Sequence, residues 1–439
     1  MVDSSLPTPM SHTEVTLMGE ESADKENNHH RLTMMQAFMA SALKKWGYAP
    51  QVYELLKEPL RTLTVRIPIK LDSGVTKTFT GFCVQHSDAT GPGIGGVKFH
   101  PEVTEKDVQA QAIWTSLQAG VLDIPYGGAS GAIVCNPKEL SFREFEALSR
   151  GYIRALISFI GPKKEFIAPE AVPNTQIMAW MLDESSKVKT NESPGFVRGE
   201  LLGLGGSFGR EAAVGIGITI AAKSGAKRVK LPLEKAGAII HGFGNVGTYV
   251  AKTLNAAGAK IVGISDGHGA LYDPDGLDVE DLMDRRDSFG MVTNLFKKSI
   301  SKNELLAEDC DIIVDSSRSP YVRTARDVEP IQADIYIEVG MEKISAEASA
   351  RLHQRGTCVI PGLWTSAAGP ALSYLKGIQN NQGYAWTEEE VKNKLEEKLK
   401  EALTSMVDIA HSHRVTMHEA AHMIGIQKLV NASRLRGWI

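Results

Sequence analysis

One glycine-rich segment of the sequence has the spacing of a phosphate-binding loop. Residues 241–247 spell H-G-F-G-N-V-G, so G-x-G-x-x-G follows a short apolar segment and precedes a helical one. The first glycine of such a loop permits a tight turn, the second lets a pyrophosphate approach the backbone, and the third lets the helix pack closely on the strand. A glycine-rich loop that binds nothing is the alternative. We predict a dinucleotide site formed by Gly242, Phe243, Gly244, Asn245, Val246, Gly247 and Asp266.

An acidic residue sets the expected cofactor preference. Asp266 follows the loop by about twenty residues and stands at the end of the next apolar segment, where a carboxylate binds the adenosine ribose hydroxyls. Because a 2′-phosphate would be repelled there, the sequence predicts NAD. His268 is close by in the chain and would offset part of that charge, so NADP stays possible.

A second motif has the spacing of a zinc site. His418, Glu419 and His422 spell H-E-x-x-H, which on a helix can bind zinc with the glutamate as general base. No third ligand is placed nearby in the sequence. We therefore predict no metal and expect both histidines to be helix-surface or packing residues.

The composition restricts the partners. The chain has 439 residues, 43% hydrophobic and 23% charged, with a net charge of −4. Such a chain is expected to fold into two domains and gives no electrostatic reason to bind nucleic acid or an anionic membrane. It contains no run of 18 apolar residues that could span a bilayer. The N-terminus resembles neither a secretory signal nor a mitochondrial transit peptide, so we predict a cytoplasmic protein.

The elements that must position these motifs fall into two groups. Residues 1–30 are polar and aperiodic, and we predict a disordered tail. From residue 31 to 205 we predict an α/β substrate and oligomerisation domain, with strands at 62–69 and 79–85, helices at 104–120, 141–160 and 175–186, and glycine-rich turns at 91–96 and 127–131. Alternating strands and helices over residues 206–404 predict a doubly wound, Rossmann-type dinucleotide-binding domain. We expect helices from about residue 405 to 439 to return to the first domain.

From about residue 33 the chain resembles the glutamate/leucine/phenylalanine/valine dehydrogenase family. The resemblance implies a substrate domain, a dinucleotide-binding domain, a site in the cleft between them, and a homo-oligomer, typically a hexamer. It also places His418 and His422 in a C-terminal helix that binds no metal. The matching segments are Q-H-S-D-A-T-G-P-G-I-G-G-V-K-F-H-P at 85–101, D-I-P-Y-G-G-A-S-G at 123–131, Q-I-M-A-W-M-L-D-E at 176–184, L-G-G-S-F-G-R-E at 204–211, and R-G-W at 436–438.

The residues that the family uses for chemistry are changed in this chain. By resemblance, three lysines of glutamate dehydrogenases correspond here to Ile94, Gln118 and Ser130. The first helps to hold the substrate carboxylate, the second binds the α-carboxylate, and the third is catalytic. The proton-transferring aspartate corresponds to Glu170, one methylene longer. We assign Glu170 and Ser130 to the catalytic positions of the family.

Other cleft positions have changed less uniformly. On the substrate side, Ser373 matches the serine of the family, and Pro370 provides an apolar wall together with Ile94. On the nicotinamide side, a threonine and two asparagines of the family correspond to Val214, Met341 and Ser366.

Two functions are consistent with this pattern. The first is an NAD-dependent oxidoreductase that acts on the CH–NH or CH–NH2 group of a small amine or imine other than glutamate. In this hypothesis Glu170 orients a positively charged iminium. The second is a family member without hydride chemistry, which serves as a regulatory subunit or a repurposed protein.

Overall fold

The computed structural model describes residues 31–439, except for 162–163, 170–174, 190–208, 287–290, 294–295, 297–298, 318–322, 342 and 385. The predicted tail at 1–30 and Glu170 therefore lie outside the described residues, as does the predicted domain boundary near residue 205. No helix within the described part of the chain is long and apolar enough to cross a bilayer.

The first domain is built on a mixed sheet. Its elements are α1 (31–45), α2 (Pro50–Leu56), β1 (Arg61–Lys70), β2 (Thr76–Ser87), β3 (Gly93–Phe99), α3 (Glu105–Val121), β4 (Gly127–Val134), α4 (Phe142–Leu156), β5 (Glu165–Pro169) and α5 (Thr175–Lys189). Within the described residues the strand order is β1-β2-β4-β3-β5. Strand β2 is antiparallel to β1 and β4, whereas β3 is parallel to β4 and β5. Helix α3 packs on one face of this sheet and α4 on the other.

The two glycine-rich segments that we predicted as turns are largely strands, β3 and β4. A Cβ at Gly95 would lie 2.2 Å from the Ala129 carbonyl oxygen, and one at Gly128 would lie 2.2 Å from the Ser116 nitrogen of α3. The glycines are therefore explained by close approach of a neighbouring strand and helix rather than by turns.

The second domain has a doubly wound sheet, as predicted. Its elements are α6 (Arg210–Val229), β6 (Gly237–His241), α7 (Asn245–Ala256), β7 (Lys260–Ser265), β8 (Ala270–Tyr272), α8 (Val279–Asp284), α9 (Lys302–Leu305), β9 (Ile312–Asp315), β10 (Ile335–Glu338), α10 (Ala346–Gln354), β11 (Cys358–Ile360), α11 (Gly362–Thr365) and α12 (Ala368–Gln382). Among the described residues the strand order is β11-β10-β9-β6-β7-β8, parallel except for β8. The carboxyl ends of β6, β9 and β10 therefore meet at one edge, where ligands bind in such sheets.

Two helices, α13 (Glu388–His413) and α14 (Met417–Leu435), complete the chain. They are separated at Arg414, which has a left-handed backbone with φ 54°, and a capping box of Thr416 and Glu419 begins α14. Helix α13 packs on α6 and α12, whereas α14 packs on α3 of the first domain. A Cβ at Gly120 of α3 would lie 2.5 Å from the Gly425 oxygen, so these two helices cross backbone against backbone. Helix α14 thus holds the first domain against the rest of the chain.

Candidate dinucleotide and substrate site

The glycine loop joins β6 to α7 at the carboxyl edge of the second sheet. Gly242 has φ 106°, and a Cβ there would lie 2.5 Å from the Ser317 nitrogen. A Cβ at Gly247 would lie 2.0 Å from the Gly242 oxygen, whereas a Cβ at Gly244 would meet nothing within 4 Å. The first and third glycines are therefore required by packing. The second leaves open space at the N-terminus of α7, where backbone N–H groups attract phosphate. This geometry fits a dinucleotide.

The remaining loop residues divide between core and surface. The Phe243 ring is fully buried in the core, and its N–H donates to the Ser265 carbonyl at 2.5 Å. Both groups are thus engaged within the protein rather than offered to a ligand. Asn245 is exposed and Val246 is half-buried in the first turn of α7, so these two residues remain accessible beside Gly244.

The Asp266 carboxylate is bound by its own neighbourhood. It accepts hydrogen bonds from the backbone N–H groups of His268, Gly269, Val292 and Thr293, and from the Thr293 hydroxyl at 2.5 Å. Burial raises the pKa of Asp266, but these bonds outweigh it and hold the pKa below its ordinary value. The carboxylate thus anchors the 291–293 segment, and its binding to a ribose stays a prediction.

The sequence analysis did not identify a buried charge cluster at the same sheet edge. Asp315, the last residue of β9, accepts from the Nε of Arg323 at 3.1 Å, from the Tyr336 hydroxyl at 2.8 Å and from the Ser317 hydroxyl at 2.6 Å. Burial raises the pKa of Asp315, but the surrounding cations and the Ser317 hydrogen bond hold it well below its usual range. Burial lowers the pKa of His241 to about 4, so at pH 7 Arg323 and Lys343 rather than His241 supply the stabilising charge. The sequence signal that could have identified Asp315 is an acidic residue at the end of an apolar strand.

The loop after β10 is fixed by Glu338. This buried carboxylate accepts from the N–H groups of Lys343 at 2.9 Å, Ile344 at 3.1 Å and Gly362 at 3.1 Å. The Ser366 hydroxyl accepts from the Gly340 N–H at 2.7 Å. Ser366, where the family has an asparagine, is therefore a loop anchor in this chain.

The three positions that we predicted to correspond to lysines of the family are all buried. Ile94 is 2% exposed, Gln118 is 3% exposed and Ser130 is fully buried. Ile94 pairs with Gly128 across β3 and β4, two residues before Ser130, while α3, which carries Gln118, packs on β4. Among the described residues no hydrogen-bond partner is found for the Ser130 hydroxyl or for the Gln118 amide. The region therefore contains one apolar side chain and two neutral polar groups.

The other predicted substrate residues lie on α12. Pro370 and Ser373 are half-buried on α12. The ring of Tyr374 contacts that of Tyr126, just before β4, with 5.9 Å between ring centroids. This contact joins α12 to the part of the first domain that contains Ser130. Of the predicted catalytic pair, only Ser130 can be placed.

Two of the changed nicotinamide-side residues pack in the core. Val214 is 8% exposed and belongs to the large core between the domains. Met341 is half-buried and packs against the same core. Neither side chain brings a polar group to the cleft.

The H-E-x-x-H motif is part of the packing of α14. His418 and His422 are each 1% exposed, and the ring of Phe38 stacks on His422 with 4.7 Å between centroids. Glu419 pairs with Lys45 and closes the capping box, so it does not act with the histidines. Within the described residues no group of three or more His, Cys, Asp or Glu side chains is arranged to hold a metal ion.

Comparison with known proteins agrees with this architecture. The Glutamate/Leucine/Phenylalanine/Valine dehydrogenase family model matches residues 205–437, and its dimerisation domain matches residues 59–187. The catabolic NAD-specific glutamate dehydrogenase of Bacillus subtilis is 47% identical over 425 residues, 96% of this chain and 100% of that protein. The NAD-specific glutamate dehydrogenase of Staphylococcus aureus (strain COL) is 47% identical over 411 residues, 94% of this chain and 99% of that protein.

Two solved structures share the fold over almost the whole chain. Glutamate dehydrogenase from Peptoniphilus asaccharolyticus has a TM-score of 0.82 and 35% identity, covering 93% of this chain and 100% of that one. The Leu-bound form of hetero-hexameric glutamate dehydrogenase from Thermus thermophilus has a TM-score of 0.86 and 31% identity, covering 91% and 95%. The chain therefore belongs to the Glu/Leu/Phe/Val dehydrogenase family.

Proposed function

We propose that this protein is an NAD-dependent oxidoreductase that acts on the CH–NH or CH–NH2 group of a small amine or imine other than glutamate. The observation that carries the proposal is that Ile94, Gln118 and Ser130, which the resemblance aligns with three lysines, are neutral and buried. In this proposal the protein keeps a dinucleotide cradle while its substrate side has no cation at these three positions.

The cofactor half of the proposal rests on the glycine loop. Open space at Gly244 beside the N-terminus of α7 suits a pyrophosphate. Relatives that are 47% identical over almost their whole length are NAD-specific. NAD, when bound, accepts or supplies the hydride. Asn245 and Val246 contribute backbone N–H groups, and Gly242 and Gly247 shape the turn.

The substrate half rests on charge. A carboxylate that enters this region would exchange water for the Gln118 amide and the Ser130 hydroxyl, without an ionic partner from the lysine positions. A neutral or positively charged substrate is not penalised in this way. Glu170, placed by sequence only, would hold a positive substrate nitrogen and supply its proton.

The test has two steps. NADH fluorescence is first titrated with the purified protein. Hydride transfer is then followed by the absorbance of NADH, with cyclic imines, amines and glutamate as substrates. We expect NADH binding, turnover of at least one imine or amine, and its loss in Glu170→Gln. If the wild type turns over none of these compounds, or the variant is as fast, the substrate assignment is wrong. If glutamate turnover equals that of a standard family member, it is wrong as well.

A second function is favoured by one specific observation. Ser130 is buried, and its hydroxyl neither gains nor loses a proton near pH 7. The position that we assigned to the catalytic lysine of the family therefore holds no general acid or base. A subunit that binds nucleotide without hydride transfer would look the same, and a structural neighbour is described as hetero-hexameric. NADH binding without turnover of any tested compound would favour this alternative. Light scattering tests the proposed homo-hexamer directly, because a protein that requires a second kind of subunit would not form it alone.

A further inference from the structure

A lysine that the sequence analysis did not single out lies at the edge of the dinucleotide cradle. Lys343 follows β10, and its Nζ donates to the Ser317 carbonyl oxygen at 2.5 Å. Ser317 lies after β9, and its backbone is the nearest group to a Cβ placed on Gly242. The ammonium therefore joins the loops after β9 and β10 next to the phosphate-binding turn.

The loop after β10 is shaped to hold this side chain. Gly340 has φ 100°, and a Cβ there would lie 3.6 Å from Cε and 3.8 Å from Nζ of Lys343. The lysine thus folds back over its own loop. Glu338 fixes the base of that loop by accepting from the Lys343 N–H. The lysine is therefore anchored at its backbone and at its ammonium.

The ammonium keeps donor capacity for a ligand. It has three N–H donors, and within the described residues one acceptor, the Ser317 oxygen, is found for it. The side chain is half-buried rather than enclosed. Among the described residues, burial and the cations Arg31 and Arg323 lower the pKa of Lys343, whereas the carboxylates Asp315 and Glu338 raise it.

We propose that Lys343 binds the nicotinamide half of the dinucleotide, by donating to an oxygen of the diphosphate or of the adjoining ribose. The proposal rests on the dinucleotide site of the proposed function. In this domain the Gly242 turn faces the loops after β9 and β10, so a ligand that extends from α7 along the carboxyl edge reaches this ammonium. Met341, two residues earlier, brings no polar group, and Lys343 supplies one from the same loop.

The experiment measures the affinity of NADH and of its fragments for wild type and for Lys343→Met. Isothermal titration uses AMP, ADP, ADP-ribose and NADH. Loss of one charge-assisted hydrogen bond is expected to weaken NADH and ADP-ribose binding by about 10-fold or more and to leave AMP unchanged. Weakening that already occurs with ADP places the contact on the diphosphate. Weakening that begins with ADP-ribose places it on the ribose.

Two further variants separate binding from damage to the fold. Lys260→Met removes the same charge from the opposite end of the sheet, at the start of β7, and should bind like wild type. Lys343→Arg should retain most of the affinity. Equal NADH affinity of wild type and Lys343→Met overturns the proposal, as does an equal loss for AMP. If the wild type binds no NADH, the proposed dinucleotide site is wrong, and the role of Lys343 is wrong with it.

Discussion

The Nε of Arg323 donates to the Asp315 carboxylate across 3.1 Å, with the two side chains 6% and 1% exposed. The pair lies beneath the turn that meets Gly242, and the Tyr336 hydroxyl donates to the same carboxylate oxygen as Arg323. A buried charge is tolerated only while its partner is present. The cluster therefore links the stability of the second domain to the shape of the cofactor edge.

Removal of one partner should destabilise the fold strongly. Arg323→Met removes the only cation that is hydrogen-bonded to Asp315 among the described residues, and we expect a loss of about 3–5 kcal/mol in the free energy of unfolding. Adding Asp315→Asn removes the Asp315 charge, and its amide can donate to the Tyr336 hydroxyl, so the double variant should recover much of the loss. Urea unfolding measures both. Arg351→Met, which breaks an exposed pair with Glu329, should change the stability very little, because solvent screens such pairs. A double variant no more stable than Arg323→Met would contradict this account.

The glycines of the loop should respond differently to substitution. Gly244→Val meets open space in the protein but occupies the path of the pyrophosphate. It should unfold like wild type and show no NADH binding in a fluorescence titration. In Gly242→Ala, alanine must adopt the positive φ of residue 242, and its Cβ would clash with the Ser317 backbone. This variant should therefore lose about 1–3 kcal/mol in the free energy of unfolding. Normal NADH affinity in Gly244→Val would remove the loop from the binding site.

The sequence predicted the elements around this loop because their signals are local. The strand at β7, the helix at α7 and the glycine spacing each depend on neighbouring residues. The cluster of Asp315, Arg323 and Tyr336 forms only when strands β9 and β10 pair and Arg323 makes a β-bridge with Ile344. No local sequence pattern therefore reveals it. The glycines of β3 and β4 were misassigned because close packing and turns select the same residue.

Replacement of Asp266 tests whether the carboxylate at the predicted ribose position also stabilises the fold. In Asp266→Asn an amide donor replaces either the oxygen that accepts from the N–H groups of Val292 and Thr293 or the oxygen that accepts from those of His268 and Gly269. Either orientation faces donor to donor, and we expect a loss of about 1–3 kcal/mol in stability. Thermal unfolding without ligand and NADH titration together measure the two roles. Unchanged stability with weakened NADH binding would show that the carboxylate acts on the ribose rather than on the loop.

Acid sensitivity should originate in part from a buried histidine of the first domain. His86 is 3% exposed, with Nε2 at 2.7 Å from the Leu56 oxygen and Nδ1 at 2.7 Å from the Ser116 hydroxyl. Since a carbonyl only accepts, Nε2 carries a proton. With a pKa well below 7 the imidazole is neutral at pH 7, and Nδ1 then accepts from the Ser116 hydroxyl. Burial lowers its pKa to about 4, although the Leu56 hydrogen bond acts in the opposite direction.

The pH dependence of stability follows from this shift. The unfolded chain binds a proton on His86 near pH 6.5, whereas the folded protein resists it down to about pH 4, so the contribution of His86 is complete above 6.5 and is lost as the pH falls toward 4. Between pH 7.5 and 5 we expect a loss of about 2 kcal/mol from this residue. His86→Gln, which does not titrate, should be less stable at pH 7.5 but should show a pH dependence smaller by that amount. Urea unfolding of both proteins at the two pH values, at equal protein concentration, makes the comparison. Equal pH dependence in the two proteins would mean that His86 is already protonated in the folded state or remains neutral in both states.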